Sequence, residues 1–218
     1  MKTFTKRIYL IIIASLITSS CSTLTKTEAS FSKIENGIFD ETVPSESTEE
    51  KKLSRSIYDK GQKDWKSLYK FYCYRCPKGG DKFRAKKLAK LYIEECAAEG
   101  INSDVAFIQM CHETGFLKYG NLVKKQWNNF CGLGAINAEN PGLKFKTMRD
   151  GVRAHVQHLH AYGTTADIQL HNEIIDPRYK YVNPRGKASD IFGLAGTWAA
   201  DREYGTKLDK LLDDLEKF

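Results

Sequence analysis

Apolar residues recur every three or four positions along most of the chain after residue 60, and this spacing places them on one face of a helix. Polar residues fill the positions between them. The pattern therefore predicts a mainly α-helical domain. The predicted helices run through 65–72, 82–99 and 105–113, through a short segment at 121–126, from 148 to at least 162, and at about 187–197 and 204–217.

Capping residues mark the ends of three of these helices. Asp81 is placed to begin the second helix and Gly100 to end it, because aspartate accepts backbone N–H groups and glycine adopts the left-handed conformation. Ser103 is the predicted cap of the third helix. Thr147 followed by Asp150 predicts a capping box at the start of the helix after 147.

One segment between the helices has a different character. The sequence NNFCGLGAINAENPGLKF is rich in glycine and asparagine and is interrupted by Pro141. Such a composition favours turns and short hairpins over helix. We therefore expect a small β-hairpin lobe, inserted after the helix that ends near Glu113.

The first 21 residues have the pattern of an export signal. MKTFTKR is basic, IYLIIIASLI is apolar but too short for an ordinary membrane span, and TSSC ends in Cys21. A cysteine directly after small residues resembles a bacterial lipobox. We therefore predict an exported lipoprotein of the cell envelope, anchored in the membrane through Cys21. The alternative is an ordinary signal peptide cleaved near Ser19 or Ser20.

Composition separates a tether from a folded domain. Residues 22–60 are rich in Ser, Thr, Glu and Lys and predict a disordered tether, whereas residues 61–218 form the predicted domain. The net charge of +7 falls to +4 when Lys2, Lys6 and Arg7 of the first segment are removed, and this mildly basic charge suits an anionic envelope polymer as a partner. Because no basic stripe is interleaved with aromatic residues, we do not expect nucleic acid as a partner. We expect a monomer.

The pair His112-Glu113 ends an apolar segment and invites comparison with a zinc protease. The zinc motif HExxH needs a second histidine one turn later, and Phe116 occupies that position. No second CxxC or histidine pair of zinc-type spacing follows the CxxC sequence at 73–76, and His155 with His158, which share a helix face, are the other candidate ligands. We therefore expect no metal site and no other cofactor. A disulfide that involves Cys73, Cys76 or Cys96 stays open.

Glu113 lies in the last turn of its predicted helix, where the helix dipole disfavours a carboxylate. The residue either pairs with Lys118 or Lys124, or it is used for chemistry. A carboxyl surrounded by apolar side chains loses hydration, which raises its pKa and keeps it protonated. Such a group can act as the general acid that glycosidic cleavage requires at the leaving oxygen.

Five segments together resemble glycoside hydrolase family 73. They cover roughly residues 83–218 in order and read AFIQMCHETGFLKYG, NNFCGLG, FKTMRDGVRAHVQHLHAYG, DPRYKYV and GTWAADREYGTKL. Members of this family are bacterial endo-β-N-acetylglucosaminidases that cut peptidoglycan, with a lysozyme-like helical fold and a β-hairpin lobe beside the cleft. The resemblance implies that Glu113 is the general acid. It also implies hydrolysis of the β-1,4 bond between N-acetylglucosamine and N-acetylmuramic acid in a peptidoglycan strand.

The resemblance implies roles for four further residues. Tyr204 matches a tyrosine in the catalytic cleft, where it would contact the acetamido group of the substrate or a water. Asn129 and Phe130 match a segment that borders the glycan groove, and Trp198 would stack on a sugar. Each has a structural alternative: a core aromatic for Tyr204 and Trp198, and a turn that shapes the hairpin for Asn129 and Phe130.

A second catalytic acid is often assigned to the β lobe of the family. Glu139 is the only glutamate of this segment, and we predict it as the second acid. Asp150 is an alternative, although its capping-box position already gives it a structural role. A further alternative is that the 2-acetamido group of the substrate attacks its own anomeric carbon, with Tyr204 steadying that group.

Two other functions fit the same sequence features. A lytic transglycosylase uses a similar glutamate on a related fold, cuts the other glycosidic bond and leaves an anhydro-muramic end. A non-catalytic lipoprotein that binds envelope glycans would keep the fold without the chemistry.

Overall fold

The computed structural model of the protein describes residues 52–218, so the predicted signal, Cys21 and most of the predicted tether lie outside the described residues. Regular structure in this part consists of five α-helices. They are α1 (Trp65–Arg75), α2 (Lys82–Glu99), α3 (Ser103–Glu113), α4 (Met148–Gly163) and α5 (Tyr204–Glu216). The prediction of a mainly helical domain is therefore confirmed.

Helix α3 lies at the centre of the domain. Every residue from Ser103 to Cys111 is buried, because nearly all faces of this helix carry apolar side chains. The other four α-helices of the described part all contact α3. Glu113 is the last residue of α3, so its carboxyl lies where this helix leaves the core.

The predicted caps of two helices are confirmed. The Asp81 side chain accepts a hydrogen bond from the backbone of Arg84 at the start of α2, and Gly100 ends α2 with a left-handed φ of 68°. At the start of α4, Thr147 and Asp150 form both hydrogen bonds of a capping box. Asp150 therefore has the structural role that its position predicts.

The predicted cap of α3 is wrong by one residue. Asn102 is the N-cap, and its side-chain oxygen accepts hydrogen bonds from the backbone N–H groups of Asp104 and Val105. Ser103 is the first helical residue instead. Both residue types are good caps, so the sequence alone does not separate two adjacent candidates.

Two of the predicted helices are wrong. The segment 121–126 contains only the start of a 3-10 turn at Lys125–Trp127, and Leu122 in this segment is 37% exposed. The segment 187–197 contains only a 3-10 turn at Phe192–Leu194, which Gly196 follows with a φ of 75°. Ala188, Ile191 and Leu194 of the second segment are buried in the core, but turns rather than a helix present them there, so apolar spacing alone overstated the helix.

The predicted β-hairpin lobe is not confirmed. The chain folds back on itself between 128 and 146, but its β pairing there is one isolated bridge between Ala135 and Pro141. Asn129 holds this loop together instead. Its side chain donates to the carbonyl oxygen of Leu133 at 2.9 Å and accepts from the backbone N–H of the same residue at 2.9 Å. We call this segment the 128–146 loop.

The described residues before α1 pack on the helices. Leu53 and Ile57 are buried in the core, so the compact unit begins before residue 61. The Arg55 guanidinium lies against α5 and forms ion pairs with three carboxylates of that helix. They are Asp209 at 2.7 Å, Asp213, and Glu216 at 2.9 Å.

Two further features concern anchoring and cross-linking. No helix in residues 52–218 has the length and apolar character to span a bilayer. The cysteines of this part are all free thiols, so no disulfide forms among Cys73, Cys76 and Cys96. Cys111 and Cys131 are buried, as small core residues are.

Candidate active site

An open cavity of about 830 Å³ lies at the C-terminal end of α3. Its walls come from residues between 112 and 123, from the 128–146 loop, and from Trp198 with Ala199. Glu113 is the one carboxylate among the described residues that line it. His112 and Asn129 also line the cavity.

The backbone turn after Glu113 places its carboxyl at the cavity. Thr114 ends the helix, and its hydroxyl donates to the Met110 carbonyl oxygen at 2.8 Å and accepts from the Leu117 N–H at 2.9 Å. Gly115 then adopts a left-handed φ of 55°. The chain therefore leaves the helix abruptly, and no further helical turn covers the Glu113 side chain.

The Glu113 carboxyl is hydrogen-bonded by two neutral donors. Trp198 Nε1 donates to Oε1 at 3.1 Å, and the Tyr204 hydroxyl donates to the same oxygen. None of the ion pairs within residues 52–218 joins Glu113 to Lys118 or Lys124. The alternative of a simple ion pair with either lysine therefore has no support in this structure.

The surroundings of Glu113 favour its protonated form. Burial raises the pKa of Glu113 above the ordinary value of 4.5, and the hydrogen bonds from Tyr204 and Trp198 offset only part of this increase. The helix dipole at the end of α3 acts in the same direction as burial. A carboxyl with a raised pKa beside an open cavity is suited to donate a proton.

Trp198 is held by aromatic neighbours. Its ring centroid lies 5.1 Å from the rings of His158 and Tyr162 and 5.8 Å from the ring of His155. The indole also lines the cavity. Trp198 is therefore both a packed aromatic residue and part of the cavity wall. Its ring packs against His158 and Tyr162, and its N–H donates to Glu113.

Asn129 and Phe130 shape the loop beside the cavity. Asn129 is buried, with its amide committed to backbone groups of the 128–146 loop, although it reaches the cavity wall. Phe130 is fully buried and presents no surface to a ligand. A Cβ atom at Gly151 would lie 1.8 Å from the Asn128 carbonyl oxygen, so only glycine lets this loop approach α4 so closely.

Glu139 does not join the other predicted site residues. It lies in an exposed turn of the 128–146 loop and is not part of the cavity wall. Glu113, Trp198 and Tyr204 do come together, although they are separated by 85 and 91 positions along the chain. The structure thus gathers three of the predicted residues around one carboxyl and leaves Glu139 outside.

Three buried residues next to the site were not singled out by sequence reasoning for this role. Gln109 donates to the Tyr204 hydroxyl at 2.9 Å, His155 contacts Gln109 at 3.1 Å, and Tyr92 contacts His155 at 2.8 Å. The available signal was Gln109, a polar residue inside the apolar run 105–111. A buried amide needs a polar partner, but the run does not say which one.

The comparison with family models identifies the class of protein. Residues 89–217 match the glucosaminidase model, described as mannosyl-glycoprotein endo-beta-N-acetylglucosaminidase. The chain belongs to this glucosaminidase family. The resemblance to glycoside hydrolase family 73 is therefore confirmed.

Individual relatives add two points of reference. An uncharacterized protein of Borreliella burgdorferi is 41% identical over 138 residues, which cover 63% of this chain and 66% of the relative. The chain thus spans just under two thirds of the length of that relative. A crystal structure of S. aureus autolysin E with the muropeptide NAM-L-Ala-D-iGlu matches at 16% identity with a TM-score of 0.49. That match covers 76% of this chain and 73% of the autolysin chain.

Proposed function

We propose that the protein is an exported peptidoglycan hydrolase, an endo-β-N-acetylglucosaminidase that uses Glu113 as its general acid. The observation that carries the proposal is the Glu113 carboxyl: it faces an open cavity, has neutral hydrogen-bond donors, and has a raised pKa. Membership of the glucosaminidase family supports the reaction class. The substrate is the β-1,4 bond between N-acetylglucosamine and N-acetylmuramic acid.

The chemistry begins with proton transfer from Glu113. The carboxyl gives its proton to the glycosidic oxygen as the bond from that oxygen to the anomeric carbon of N-acetylglucosamine breaks. The leaving saccharide departs with a hydroxyl. Glu113, now a carboxylate stabilised by Tyr204 and Trp198, then takes a proton from the water that attacks the anomeric carbon.

The group that assists at the anomeric carbon has two candidates. Glu139 stays a prediction as the second acid. The absence of a second carboxylate from the cavity wall within residues 52–218 supports the other candidate, the 2-acetamido group of the substrate. That group attacks through its carbonyl oxygen to form a cyclic intermediate, which the water then opens.

The same observation keeps a lytic transglycosylase as the second candidate function. In that reaction the attacking group is the hydroxyl on carbon 6 of N-acetylmuramic acid, so one acid on the protein is also sufficient. The two reactions leave different ends. A reducing N-acetylglucosamine end supports our proposal, and an anhydro-muramic end overturns it in favour of the second candidate.

Muropeptide analysis of digested cell wall tests the proposal. We expect Glu113→Gln to lower the rate of wall cleavage by about 10²- to 10⁴-fold, the usual contribution of a general acid. Glu99→Gln is the matched control, because Glu99 is a buried glutamate that accepts hydrogen bonds from the backbone N–H groups of His171 and Asn172, away from the cavity wall. A Glu113→Gln variant as active as the wild type would instead support a non-catalytic glycan-binding protein.

Attachment to the envelope is a separate part of the proposal. A lipid on Cys21 would hold the mature chain in the membrane, with the tether between Cys21 and the packed residues giving the domain reach. Substitution Cys21→Ser should abolish labelling by a fatty acid and move the protein from the membrane fraction to the soluble fraction. Retention in the membrane without a label would contradict this part alone.

A further inference from the structure

One continuous chain of hydrogen bonds runs through the core to the Glu113 carboxyl. It takes one residue from each of four helices: Tyr92 on α2, His155 on α4, Gln109 on α3 and Tyr204 on α5. The successive distances are 2.8 Å from Tyr92 Oη to His155 Nδ1, 3.1 Å from His155 Nε2 to Gln109 Oε1, and 2.9 Å from Gln109 Nε2 to Tyr204 Oη. The last hydrogen bond reaches Glu113 Oε1.

All members of this chain before Glu113 are shielded from water. Tyr92, Gln109 and His155 are fully buried and Tyr204 is 3% exposed. Burial lowers the pKa of His155 to about 3, so its imidazole is neutral and carries one ring proton. A neutral imidazole donates through one nitrogen and accepts through the other. The role of one ring nitrogen therefore fixes the role of the other.

The far end of the chain sets that direction. The Tyr92 hydroxyl has one hydrogen-bond partner among the described residues, His155 Nδ1. A fully buried hydroxyl that accepted there would leave its own hydrogen without a partner in the core, which is unfavourable. Tyr92 therefore donates to Nδ1. His155 in turn carries its proton on Nε2 and donates to Gln109 Oε1.

The remaining steps follow from this tautomer. With Oε1 of Gln109 occupied by His155, the amide nitrogen faces Tyr204 and donates to its hydroxyl oxygen. The Tyr204 hydroxyl hydrogen is then directed at Glu113 Oε1. Every donor in the chain points toward the carboxyl.

The two oxygens of Glu113 are consequently different. Oε1 accepts from both Tyr204 and Trp198 Nε1, so both of its lone pairs are used. Oε2 is left to carry the acid proton. This oxygen lies on the side of Gly132 in the cavity wall, where an added Cβ atom would be 3.9 Å away.

We propose that Gln109 and His155 are positioning residues that fix Tyr204 as a donor to Glu113 Oε1, and that the proton transferred in catalysis is thereby confined to Oε2. This inference rests on the proposed function for its catalytic meaning. The direction of the hydrogen bonds does not depend on it. Tyr92 terminates the chain and is the third positioning residue.

Removing a donor has a defined consequence. A chain of donors stabilises the Glu113 carboxylate that remains after proton transfer. Without it, the carboxylate is less stable, so kcat falls and the pKa of the acid rises. Since activity requires protonated Glu113, the alkaline limb of the profile of kcat/KM against pH moves to higher pH.

Three other titratable groups face Glu113, and two of them titrate far from it. Burial raises the pKa of the Cys131 thiol and of the Tyr204 phenol well above their ordinary values of 9.0 and 10.0. Burial and the charge of Lys207 lower the pKa of His112 below 6.5, and Asp201 offsets part of this decrease. The thiol and the phenol are therefore displaced away from the range in which Glu113 loses its proton, whereas the pKa of His112 moves toward that range. A displaced alkaline limb is therefore assigned to Glu113 only when the ¹³C titration of its own carboxyl moves with it.

The experiment compares Gln109→Met with the wild-type chain on cell wall. Methionine keeps the length of the side chain but cannot donate to Tyr204. We expect kcat to fall about tenfold, as for the loss of one buried hydrogen bond, with KM within about twofold and the alkaline limb displaced upward. Tyr92→Phe should give a smaller effect of the same kind. It replaces Gln109→Met as the test variant if Gln109→Met does not fold.

Tyr72→Phe is the matched control. Tyr72 is equally buried, and its hydroxyl donates to the Phe116 carbonyl oxygen at 3.0 Å. This hydrogen bond is not part of the series that runs from Tyr92 to Glu113. We expect the midpoint of thermal unfolding to fall by a similar amount in Tyr72→Phe and in Gln109→Met. In Tyr72→Phe the alkaline limb should stay in place. If kcat in Gln109→Met is unchanged, or falls with the limb unmoved as in the control, the proposal is overturned.

A second readout needs no substrate. The ¹⁵N chemical shifts of the His155 ring report which nitrogen is protonated, and the ¹³C shift of the Glu113 carboxyl reports its titration. A proton on Nε2, together with a higher Glu113 pKa in Gln109→Met, supports the proposal, whereas a proton on Nδ1 overturns it. A wild-type chain that does not cut cell wall would defeat the proposed function, and this readout alone would then decide the hydrogen-bond direction.

Discussion

Two glutamates, the buried Glu95 and the half-buried Glu113, have hydrogen-bond donors of different charge. Glu95 lies between α2 and α4, where Arg149 Nη1 donates to its Oε1 at 2.5 Å and Arg153 Nε donates to its Oε2 at 2.7 Å. Burial alone would raise the pKa of Glu95, but the hydrogen bonds and charges of the two arginines outweigh burial and lower it. Glu95 is therefore held as a carboxylate that joins two helices.

Glu113 has donors of a different kind. The donors to its carboxyl, Tyr204 and Trp198, are neutral, and burial keeps its pKa raised. Depth alone does not explain the difference, since Glu95 is only 2% exposed. The comparison teaches that the charge of the donors decides whether the pKa of a carboxyl shielded from water is lowered or raised.

The largest expected effect is that Glu113→Gln lowers activity but not stability, whereas Glu95→Gln lowers stability but not activity. Glu113→Gln should remove wall cleavage by about 10²- to 10⁴-fold and leave the free energy of unfolding nearly unchanged. Glu95→Gln should leave cleavage within about twofold and lower the free energy of unfolding by about 1–3 kcal/mol. The arginines are 46% and 23% exposed, so water limits the cost of leaving them unpaired. Urea denaturation and muropeptide release measure the two effects, and a variant that loses both properties equally would break the comparison.

The next effect concerns the neutral donors. Tyr204→Phe removes the donor nearest to the reacting group, so we expect kcat to fall about tenfold and the alkaline limb of activity to move to higher pH. A limb that moves to lower pH would mean that Tyr204 favours the protonated acid. Initial rates of wall cleavage across a pH series are sufficient to decide.

The two glutamates should also give opposite dependences of stability on pH. The folded pKa of Glu95 is lowered from 4.5, so its contribution is present above pH 4.5 and is lost as pH falls through the folded pKa. The folded pKa of Glu113 is raised from 4.5, so its contribution is present below pH 4.5 and is lost as pH rises through the folded pKa. Urea midpoints of Glu95→Gln and Glu113→Gln relative to wild type should therefore change in opposite directions with pH. Parallel changes would contradict the two assigned shifts.

The smallest expected effect separates the two arginines. Arg153 contacts both oxygens of Glu95 and is 23% exposed, whereas Arg149 is 46% exposed and shares its guanidinium with Glu94. We expect Arg153→Met to lower the free energy of unfolding by about 1 kcal/mol and Arg149→Met by less. Thermal unfolding at low and high salt checks the order, and a larger loss for Arg149→Met would reverse it.

The sequence was informative wherever local rules decide the structure. Asp81 with Gly100 and Thr147 with Asp150 mark helix ends through hydrogen bonds within four residues, and α2 and α4 begin and end close to the predicted positions. The segment 187–197 failed because its residues contact the rest of the domain through turns. Spacing along the chain cannot show that.

The candidate site was predictable only in part. Glu113 stood out because a carboxylate at a helix C-terminus is unfavourable without a reason. The residues that supply the reason come from distant positions: Tyr204 lies 91 residues from Glu113, and His155 lies 46 residues from Gln109. Their meeting depends on how four helices pack, which a single sequence does not state. The role of Glu139 rested on its segment, and the fold turns that segment toward solvent.

The ion pairs between Arg55 and α5 affect how force on the N-terminal part of the chain would reach the domain. A pull on the chain before residue 52 reaches the domain through several contacts with α5: Lys52 with Asp213, the Leu53 N–H with Glu216, and Arg55 with its three carboxylates. Lys63 reinforces this attachment, since its amino group donates to the Glu216 and Phe218 carbonyl oxygens at 2.9 Å. The load is thus shared over the later turns of α5, while Tyr204 stands at the first residue of the same helix. The contacts that would carry tension thus lie on the later turns of α5, away from the hydroxyl that contacts Glu113.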